Sequence, residues 1–302
     1  MMTFGLVALL VLLIIFGQPL FVIMGSVAGY CYLFFGDETL KVVIEDIFYA
    51  ADKEILLAIP LFVFAGNIMT NGSIAKRMIR VAKAFTAPIP SGLAIAGVLS
   101  CTIFAAISGS SPVTLIAVGG IMYPALLKAG YDKNLSMGIL SVGGTLGIIV
   151  PPSIPMIIFA IMASVSVVDL FKAGIGPSLV LVILLIGYAV FKAPKGSKGS
   201  FDAQELKTSF KEGILALMMP GVILGGIYSG FFTATESAAI AVFYAFIIET
   251  LVHREMKFKD IPSIAVDTAQ MLGTLFLILI LAVSLNKFMT YEQIPQNLVE
   301  YM

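Results

Sequence analysis

The sequence predicts an all-α integral membrane protein, a polytopic helical bundle. Hydrophobic residues make up 59% of the 302 residues and charged residues only 12%, against roughly 25% charge in a typical soluble domain. Mean hydropathy is +1.04. A spanning helix needs about 20 apolar residues, so most of the long uncharged segments can cross a bilayer. Asp, Glu, Lys, Arg and His are absent from 1–36, 55–75, 84–127, 134–168, 173–191, 213–235 and 268–286.

The charge balance and the cysteines exclude several function classes. The 18 basic and 18 acidic residues cancel, which gives no reason to expect a nucleic-acid partner. Cys31 and Cys101 both lie in apolar segments without metal-like spacing, and we expect them to be buried as small hydrophobic residues. The single histidine, His253, lies beside Arg254, and we expect it to be solvated.

The N-terminal region is predicted to contain transmembrane and interfacial helices. Segment 1–36 is interrupted at 17–19 by Gly-Gln-Pro, so it is either one long kinked span or two helices. Segment 37–54 has a helical apolar stripe with acidic residues off it, and is either an amphipathic helix in the membrane interface or a solvated loop helix. The stripe comprises Leu40, Val43, Ile44, Ile47, Phe48 and Ala51, and the acidic residues are Asp37, Glu38, Glu45, Asp46 and Asp52.

The topology follows from three clusters of basic residues, which we interpret as loops. The positive-inside rule places all three in the cytoplasm, with the acidic segment 37–54 on the opposite side if 56–70 crosses once. The segments 213–231 and 237–252 supply the two crossings between the last two clusters. The clusters are Lys76, Arg77, Arg80 and Lys83; then Lys192, Lys195, Lys198, Lys207 and Lys211; then Arg254, Lys257 and Lys259.

Segment 84–127 has a polar centre, the residues 108–112 with the sequence Ser-Gly-Ser-Ser-Pro. Ser111 suits a helix N-cap and Pro112 the first helical position. The segment is therefore either a re-entrant hairpin, whose two half-helices meet at a polar tip inside the membrane, or an ordinary two-span hairpin with its turn at the surface. Length and topology fit both equally.

Segment 134–168 is broken near its middle. Glycines at 143, 144 and 147 precede the adjacent prolines Pro151 and Pro152, which cannot continue a helix. An unwound helix in a membrane is the device by which secondary transporters bind a cation and an anionic substrate. The alternative is a proline kink without a ligand.

At these motifs the sequence resembles the large membrane subunit (DctM-like) of tripartite ATP-independent periplasmic (TRAP) transporters. The matching segments are 109–112, 144–153, 59–62 with Ala65 and Gly66, and 232–236, where Ala234 stands in place of the more usual Pro. The resemblance implies a bacterial inner-membrane permease, not an enzyme, of the ion-transporter and elevator type, built from two inverted repeats. It would divide the chain into scaffold helices at 1–83, a transport-domain half at 84–168 with one re-entrant hairpin and one discontinuous helix, and connecting helices with the start of a second repeat at 169–302.

The resemblance also implies a site, a coupling ion and partners. The expected activity is sodium symport of a small carboxylate, such as a C4-dicarboxylate or sialic acid, with no organic cofactor. The partners would be a small four-helix membrane subunit (DctQ-like) and a periplasmic substrate-binding protein (DctP-like). Backbone oxygens of Ser108, Ser110, Gly147, Val150 and Pro152 would bind Na⁺, an ion that suits oxygen ligands. The residues expected at the substrate carboxylate are Ser111, Pro112, Thr114, Thr145 and Ser153.

Two features depart from the family pattern or stay open. The sequence has no second Pro-Pro pair, so we expect that the chain is C-terminally truncated, split from a second gene, or incomplete at a sequence end. The alternative function is a non-transporting fragment or scaffold half that needs a separate C-terminal half. Glu236 is the only charged residue between Gly213 and Ile248. It is either a functional intramembrane carboxylate or a helix cap at the surface.

Overall fold

A computed structural model describes residues 2–36, 40–194 and 201–300, and every regular element in these ranges is helical. Six of the described helices are long and apolar enough to cross a membrane, which confirms the all-α polytopic fold class. They are Glu54–Asn71, Ser111–Lys128, Val167–Lys192, Ala203–Tyr228, Ala234–Val252 and Phe258–Tyr291. Several exceed the predicted apolar segments because polar caps extend them, as Asp202 does by accepting hydrogen bonds from the backbone N–H groups of Gln204 and Glu205.

The chain divides into two compact units, 1–56 with 269–302 and 57–268. The first unit contains α1 (Met2–Ile15), α2 (Leu20–Phe34) and α3 (Leu40–Ala51). The N-terminal apolar segment is thus two helices, separated where Gly17 adopts a positive φ of 62° and Pro19 precedes α2. Tyr30 ties them together by donating a hydrogen bond of 3.0 Å to the carbonyl of Met2.

Helix α3 forms within segment 37–54, for which an amphipathic helix was predicted. Two acidic residues of that segment, Asp37 and Glu38, lie outside the described residues. Ile47 packs against the cluster of Cys31, Tyr32 and Phe288. Ile44 and Phe48 are 67% and 66% exposed. The helix therefore presents most of its described apolar side chains outward, as an interfacial helix would.

The described residues of the second unit form ten α-helices that build and surround the hairpin. They are α4 (Ala58–Asn71), α5 (Ile74–Thr86), α6 (Gly92–Ser108), α7 (Ser111–Thr114), α8 (Gly120–Lys128), α9 (Lys133–Thr145), α10 (Ile154–Ala163), α11 (Val167–Lys192), α12 (Ala203–Tyr228) and α13 (Ala234–Ile247). Helix α14 (Ile261–Tyr291) begins in this unit and ends in the first, which also holds α15 (Ile294–Glu300). Cys101 of α6 is fully buried and Cys31 of α2 nearly so, as predicted.

The first basic cluster is a helix, so its interpretation as a loop was wrong. Ile74, Met78 and Ile79 are buried along one face of α5, and this helical spacing of apolar residues places the basic side chains on the other face. Arg80 donates hydrogen bonds of 2.7 Å to both Glu205 and Glu212 of α12. In the second cluster Lys207 and Lys211 are also helical, within α12, whereas Lys195 and Lys198 lie outside the described residues.

Candidate functional site

The polar centre of the first apolar hairpin is a compact turn between two helical arms. Helix α6 ends at Ser108, Gly109 adopts a positive φ of 57°, and Ser110 is extended before the helical arm Ser111–Lys128 begins. Glycine is needed at 109 because this left-handed conformation is strained for residues with a Cβ. The arm contains a π-helical turn at Leu115–Gly119.

Hydroxyl groups fix the shape of this tip. Thr114 donates a hydrogen bond of 2.8 Å from Oγ1 to the carbonyl of Ser110, and its Oγ1 lies 2.9 Å from Oγ of Ser108. All three residues are buried. The N-cap is Ser110 rather than Ser111, so that prediction was wrong by one residue: Ser111 is already helical and Pro112 takes the second position, where its missing N–H is equally harmless.

The predicted discontinuous helix is present. Helix α9 ends at Thr145, a 3₁₀ turn continues to Ile148, and α10 begins only at Ile154. Pro151 and Pro152 lie in the gap and lack the N–H groups that would continue the ladder. Ser153 precedes α10 but does not cap it; its hydroxyl instead donates to the carbonyl of Ile148.

The tip and the break are in direct contact. The backbone N–H of Ile154 donates a hydrogen bond of 3.1 Å to the carbonyl of Gly109. A Cβ on Gly147 would lie 3.0 Å from the carbonyl carbon of Ser110, and a Cβ on Gly109 only 2.9 Å from the carbonyl oxygen of Pro152. Glycines at both positions therefore let two backbone segments approach each other closely.

The carbonyl of Pro152 lies where these segments meet, since a Cβ on Gly109 would come within 2.9 Å of its oxygen. Val150 and Pro152 are buried, and within the described chain no hydrogen bond reaches their carbonyl oxygens. Buried carbonyls without a donor are costly, so these two have capacity for another partner. The described residues contain no group of three or more His, Cys, Asp or Glu side chains that could hold a metal ion. Any cation here would thus be held by neutral oxygens, a donor set that suits a hard alkali cation.

The residues predicted to contact substrate lie around the same junction but differ in availability. The hydroxyls of Thr114, Thr145 and Ser153 already donate to backbone carbonyls. Oγ of Ser111 is buried without a hydrogen-bond partner among the described residues, and Pro112 is exposed. Of the set, Ser111 is therefore the hydroxyl whose O–H donor is free.

Helix α4 packs against the hairpin tip. A Cβ on Gly66 would lie 2.9 Å from Cβ of Ser108 and 3.2 Å from Cγ1 of Val113. On the same helix Asn67 donates a hydrogen bond of 2.8 Å to Oγ1 of Thr268 in α14. Sequence reasoning noted Gly66 only as part of a motif, because nothing in a single sequence shows that α4 packs against a tip some 40 residues later.

Two carboxylates have roles that the sequence left open or missed. Glu236 forms a reciprocal capping box with Thr233 at the start of α13, with hydrogen bonds of 2.8 Å and 3.2 Å, so it is a helix cap. Glu249 is fully buried and accepts hydrogen bonds from the start of α5. The prediction of a solvated His253 was wrong: its side chain is 7% exposed, with Nδ1 at 3.0 Å from Oγ of Ser73. The prediction rested on the neighbouring Arg254, and a charged neighbour in sequence does not determine whether a side chain is buried.

A multi-spanning α-helical protein with a polar hairpin tip packed against an unwound helix has the architecture of a secondary transporter. The family model for the DctM component of the tripartite ATP-independent periplasmic transporter matches residues 6–302. The chain belongs to this family: it is a permease component, not an enzyme, and a multi-pass inner-membrane protein.

Several relatives match most of the chain. The C4-dicarboxylate TRAP transporter large permease protein DctM of Rhodobacter capsulatus is 35% identical over 97% of this chain and 71% of its own length. The ectoine TRAP transporter large permease protein TeaC of Halomonas elongata is 35% identical over 99% of this chain and 71% of its own length. The isethionate TRAP transporter permease protein DctMQ of Oleidesulfovibrio alaskensis is 33% identical over 96% of this chain and 46% of its own length.

Proposed function

We propose that this permease mediates sodium-coupled uptake of a small carboxylate by an elevator mechanism. The observation that carries the proposal is the junction of the hairpin tip with the broken helix. There the carbonyls of Val150 and Pro152 have no donor in the described chain, and a Cβ on Gly109 would come within 2.9 Å of the second of them. Unwound backbone of this kind is suited to coordinating Na⁺ in transporters.

The proposed ion ligands are the backbone oxygens of Ser108, Ser110, Gly147, Val150 and Pro152. Gly147 lies against the tip, since its Cβ would lie 3.3 Å from the carbonyl oxygen of Ser110. That carbonyl already accepts hydrogen bonds from the hydroxyl and the backbone N–H of Thr114 and from the hydroxyl of Ser108, so a cation bound there would replace one of these donors. Bound Na⁺ would supply positive charge beside an anionic substrate, and the chain's own contribution is to hold the oxygens together.

The substrate class is supported by the chemistry of the relatives and by the helix ends. The substrates in their names include C4-dicarboxylate, ectoine and isethionate, all small molecules with an anionic acid group. In this chain the N-terminus of α10 and the start of the arm Ser111–Lys128 lie at the junction. Helix N-termini favour anions, and the free hydroxyl of Ser111 is a donor for a carboxylate oxygen. We include Pro112, Thr114, Thr145 and Ser153 in the surrounding surface.

The proposed assembly contains a small four-helix membrane subunit and a periplasmic binding protein that delivers the substrate. The Oleidesulfovibrio relative, named DctMQ, is a longer permease, and the present chain covers 46% of its length. In the present chain α3 exposes Ile44 and Phe48, which makes it a suitable contact for such a subunit.

The test is Na⁺ binding and uptake with the chain purified together with its native partner proteins. We expect NaCl, but not choline chloride, to raise the melting temperature, because a ligand that binds only the folded state stabilises it. Proteoliposomes should then accumulate a carboxylate substrate when a Na⁺ gradient is imposed. Absence of both effects would refute the proposal, whereas Na⁺ stabilisation without uptake would support the alternative of a half that needs a second half.

A matched pair of proline variants makes the test specific. Pro152→Leu adds a backbone N–H in the break and should reduce the Na⁺-dependent stabilisation and uptake. Pro262→Leu changes an exposed proline in the first turn of α14, where a missing N–H is harmless, and should leave both unchanged. Equal behaviour of the two variants would contradict the proposed ion site.

A further inference from the structure

Glu249 is a fully buried carboxylate at the end of α13, in a π-helical turn formed by Ile248–Val252. Its Oε1 accepts hydrogen bonds of 2.7 Å and 2.6 Å from the backbone N–H groups of Ser73 and Ile74, and its Oε2 accepts one of 3.1 Å from the hydroxyl of Ser73. These donors lie about 175 residues earlier in the chain. A buried charge is retained only when it is well paired, so this contact is a specific one.

The corner between α4 and α5 is shaped around this carboxylate. Ser73 occupies the N-cap position of α5, yet its side chain makes no capping hydrogen bond; Glu249 satisfies the N–H groups instead. A Cβ on Gly72 would overlap the carboxylate group of Glu249. Glycine at 72 is therefore required by the close approach of a side chain from α13, not by a turn conformation, because its φ is −89°.

Further charged and titratable groups surround the corner. Nδ1 of His253 lies 3.9 Å from Oε2 of Glu249. Arg77 of α5 donates to Oγ of Ser73 and lies within 4.0 Å of Glu255. Glu212 of α12 lies 3.7 Å from Arg77. The carboxylate is thus embedded in a network that joins α5, α12 and α13.

Both helices that meet at this corner contact the hairpin. Helix α4 touches the tip through Gly66 and Ser108. Helix α5 is joined to the base of the hairpin, because Thr86 donates a hydrogen bond of 2.7 Å to the carbonyl of Gly92, the first residue of α6. The angle between α4 and α5 therefore sets where the tip lies relative to its support.

We propose that Glu249 is a positioning residue for the hairpin tip: its carboxylate fixes the α4–α5 corner and thereby holds the tip against α4. The carboxylate itself does not touch the proposed ion site. Loss of the hydrogen bonds between Glu249 and residues Ser73 and Ile74 lets α5 and the hairpin base move relative to Gly66. The geometric part of this inference does not depend on sodium coupling; only its effect on ion affinity rests on the proposed function.

The experiment measures tip exposure directly. A single cysteine replaces Ser110, which is 7% exposed, in a background lacking Cys31 and Cys101, and its rate of reaction with a small membrane-permeant thiol reagent is recorded in the assembled protein. Glu249→Gln should raise the rate about tenfold, the equilibrium factor for loss of one charge-assisted hydrogen bond. Glu236→Gln removes an exposed helix-capping carboxylate on the same helix and should leave the rate unchanged.

Glycine 72 provides a second, independent arm. Gly72→Ala should displace the carboxylate and raise the labelling rate as Glu249→Gln does. Combining Gly72→Ala with Glu249→Ala should add little to either, because the new methyl group occupies the space that the carboxylate vacates. Two results would overturn the positioning role. One is that the two substitutions have fully additive effects on the labelling rate. The other is that the labelling rate in every variant simply follows the loss of melting temperature.

A Na⁺ titration separates this inference from the proposed function. In the same variants the Na⁺ concentration for half-maximal stabilisation should rise, with Glu249→Asp restoring part of the shift. Faster labelling without any Na⁺ effect in the unsubstituted protein would leave the positioning role standing and refute the sodium coupling. An unchanged labelling rate in Glu249→Gln would refute the positioning role whatever the Na⁺ response.

Discussion

Replacing Gly147 with Ala tests the junction with the smallest possible perturbation. The added Cβ would lie 3.0 Å from the carbonyl carbon of Ser110, 3.1 Å from the backbone nitrogen of Ser111 and 3.3 Å from the carbonyl oxygen of Ser110. Non-bonded carbon atoms prefer separations of about 3.5–4.0 Å, so the tip and the break must separate by about 0.5 Å or more. Gly147 lies in a 3₁₀ turn that alanine also adopts, and the effect is therefore one of contact, not of backbone strain.

The magnitude follows from the rigidity of both contact partners. The atoms met by the new methyl group belong to the backbone, so no flexible side chain can move away. Overpacking of this kind costs about 1–3 kcal/mol. If that cost falls on the ion-bound geometry, the Na⁺ concentration for half-maximal uptake should rise by a factor of about 5 to 150.

The assay is Na⁺-dependent uptake in proteoliposomes containing the chain and its partners, with the melting temperature measured in parallel. Gly138→Ala is the matched control, because Gly138 lies on α9, the helix that precedes the turn of Gly147, and a Cβ there meets no atom within 4 Å. The control should keep wild-type Na⁺ dependence. An unaltered Na⁺ midpoint in folded Gly147→Ala would refute the view that this contact shapes the ion site.

Three further predictions follow from the structure. A cysteine at Ser110 should resist an impermeant thiol reagent added outside if the hairpin is re-entrant, and rapid external labelling would favour two ordinary spans. Glu236→Ala should lower stability by about 1 kcal/mol through loss of the capping box with Thr233, with uptake unchanged; a large loss of uptake would give Glu236 a functional role. Burial and the charge of Arg77 lower the pKa of His253, so the stability that neutral His253 contributes is fully present above a pH of about 6.5 and is lost as the pH falls below that value. His253→Gln should therefore weaken the dependence of melting temperature on pH between about 5.5 and 7.5. An equal dependence in that variant would assign the pH effect to other groups.

Much of the fold was predictable because the membrane imposes length and polarity on each segment separately. Uncharged stretches predicted the spanning helices, and the break at Pro151 and Pro152 followed from missing backbone donors. The helix start at Ser110 was missed by one residue, since Ser110 and Ser111 are both good N-caps and local sequence does not choose between them. The prediction of a loop at the basic cluster on α5 was wrong because closely spaced charges are typical of solvated loops, whereas here the apolar residues between them form a buried helical face.

By itself, the sequence determined the class of protein, the helical hairpin and the interrupted helix, because hydropathy, glycine and proline act within a few residues of their position. Only the tertiary structure decided which distant groups meet. The contact of Gly66 with Ser108 and the clasp of Glu249 on Ser73 and Ile74 join segments about 40 and 175 residues apart. Such pairings depend on how the helices pack against one another, and the local pattern of a single chain contains no record of that packing.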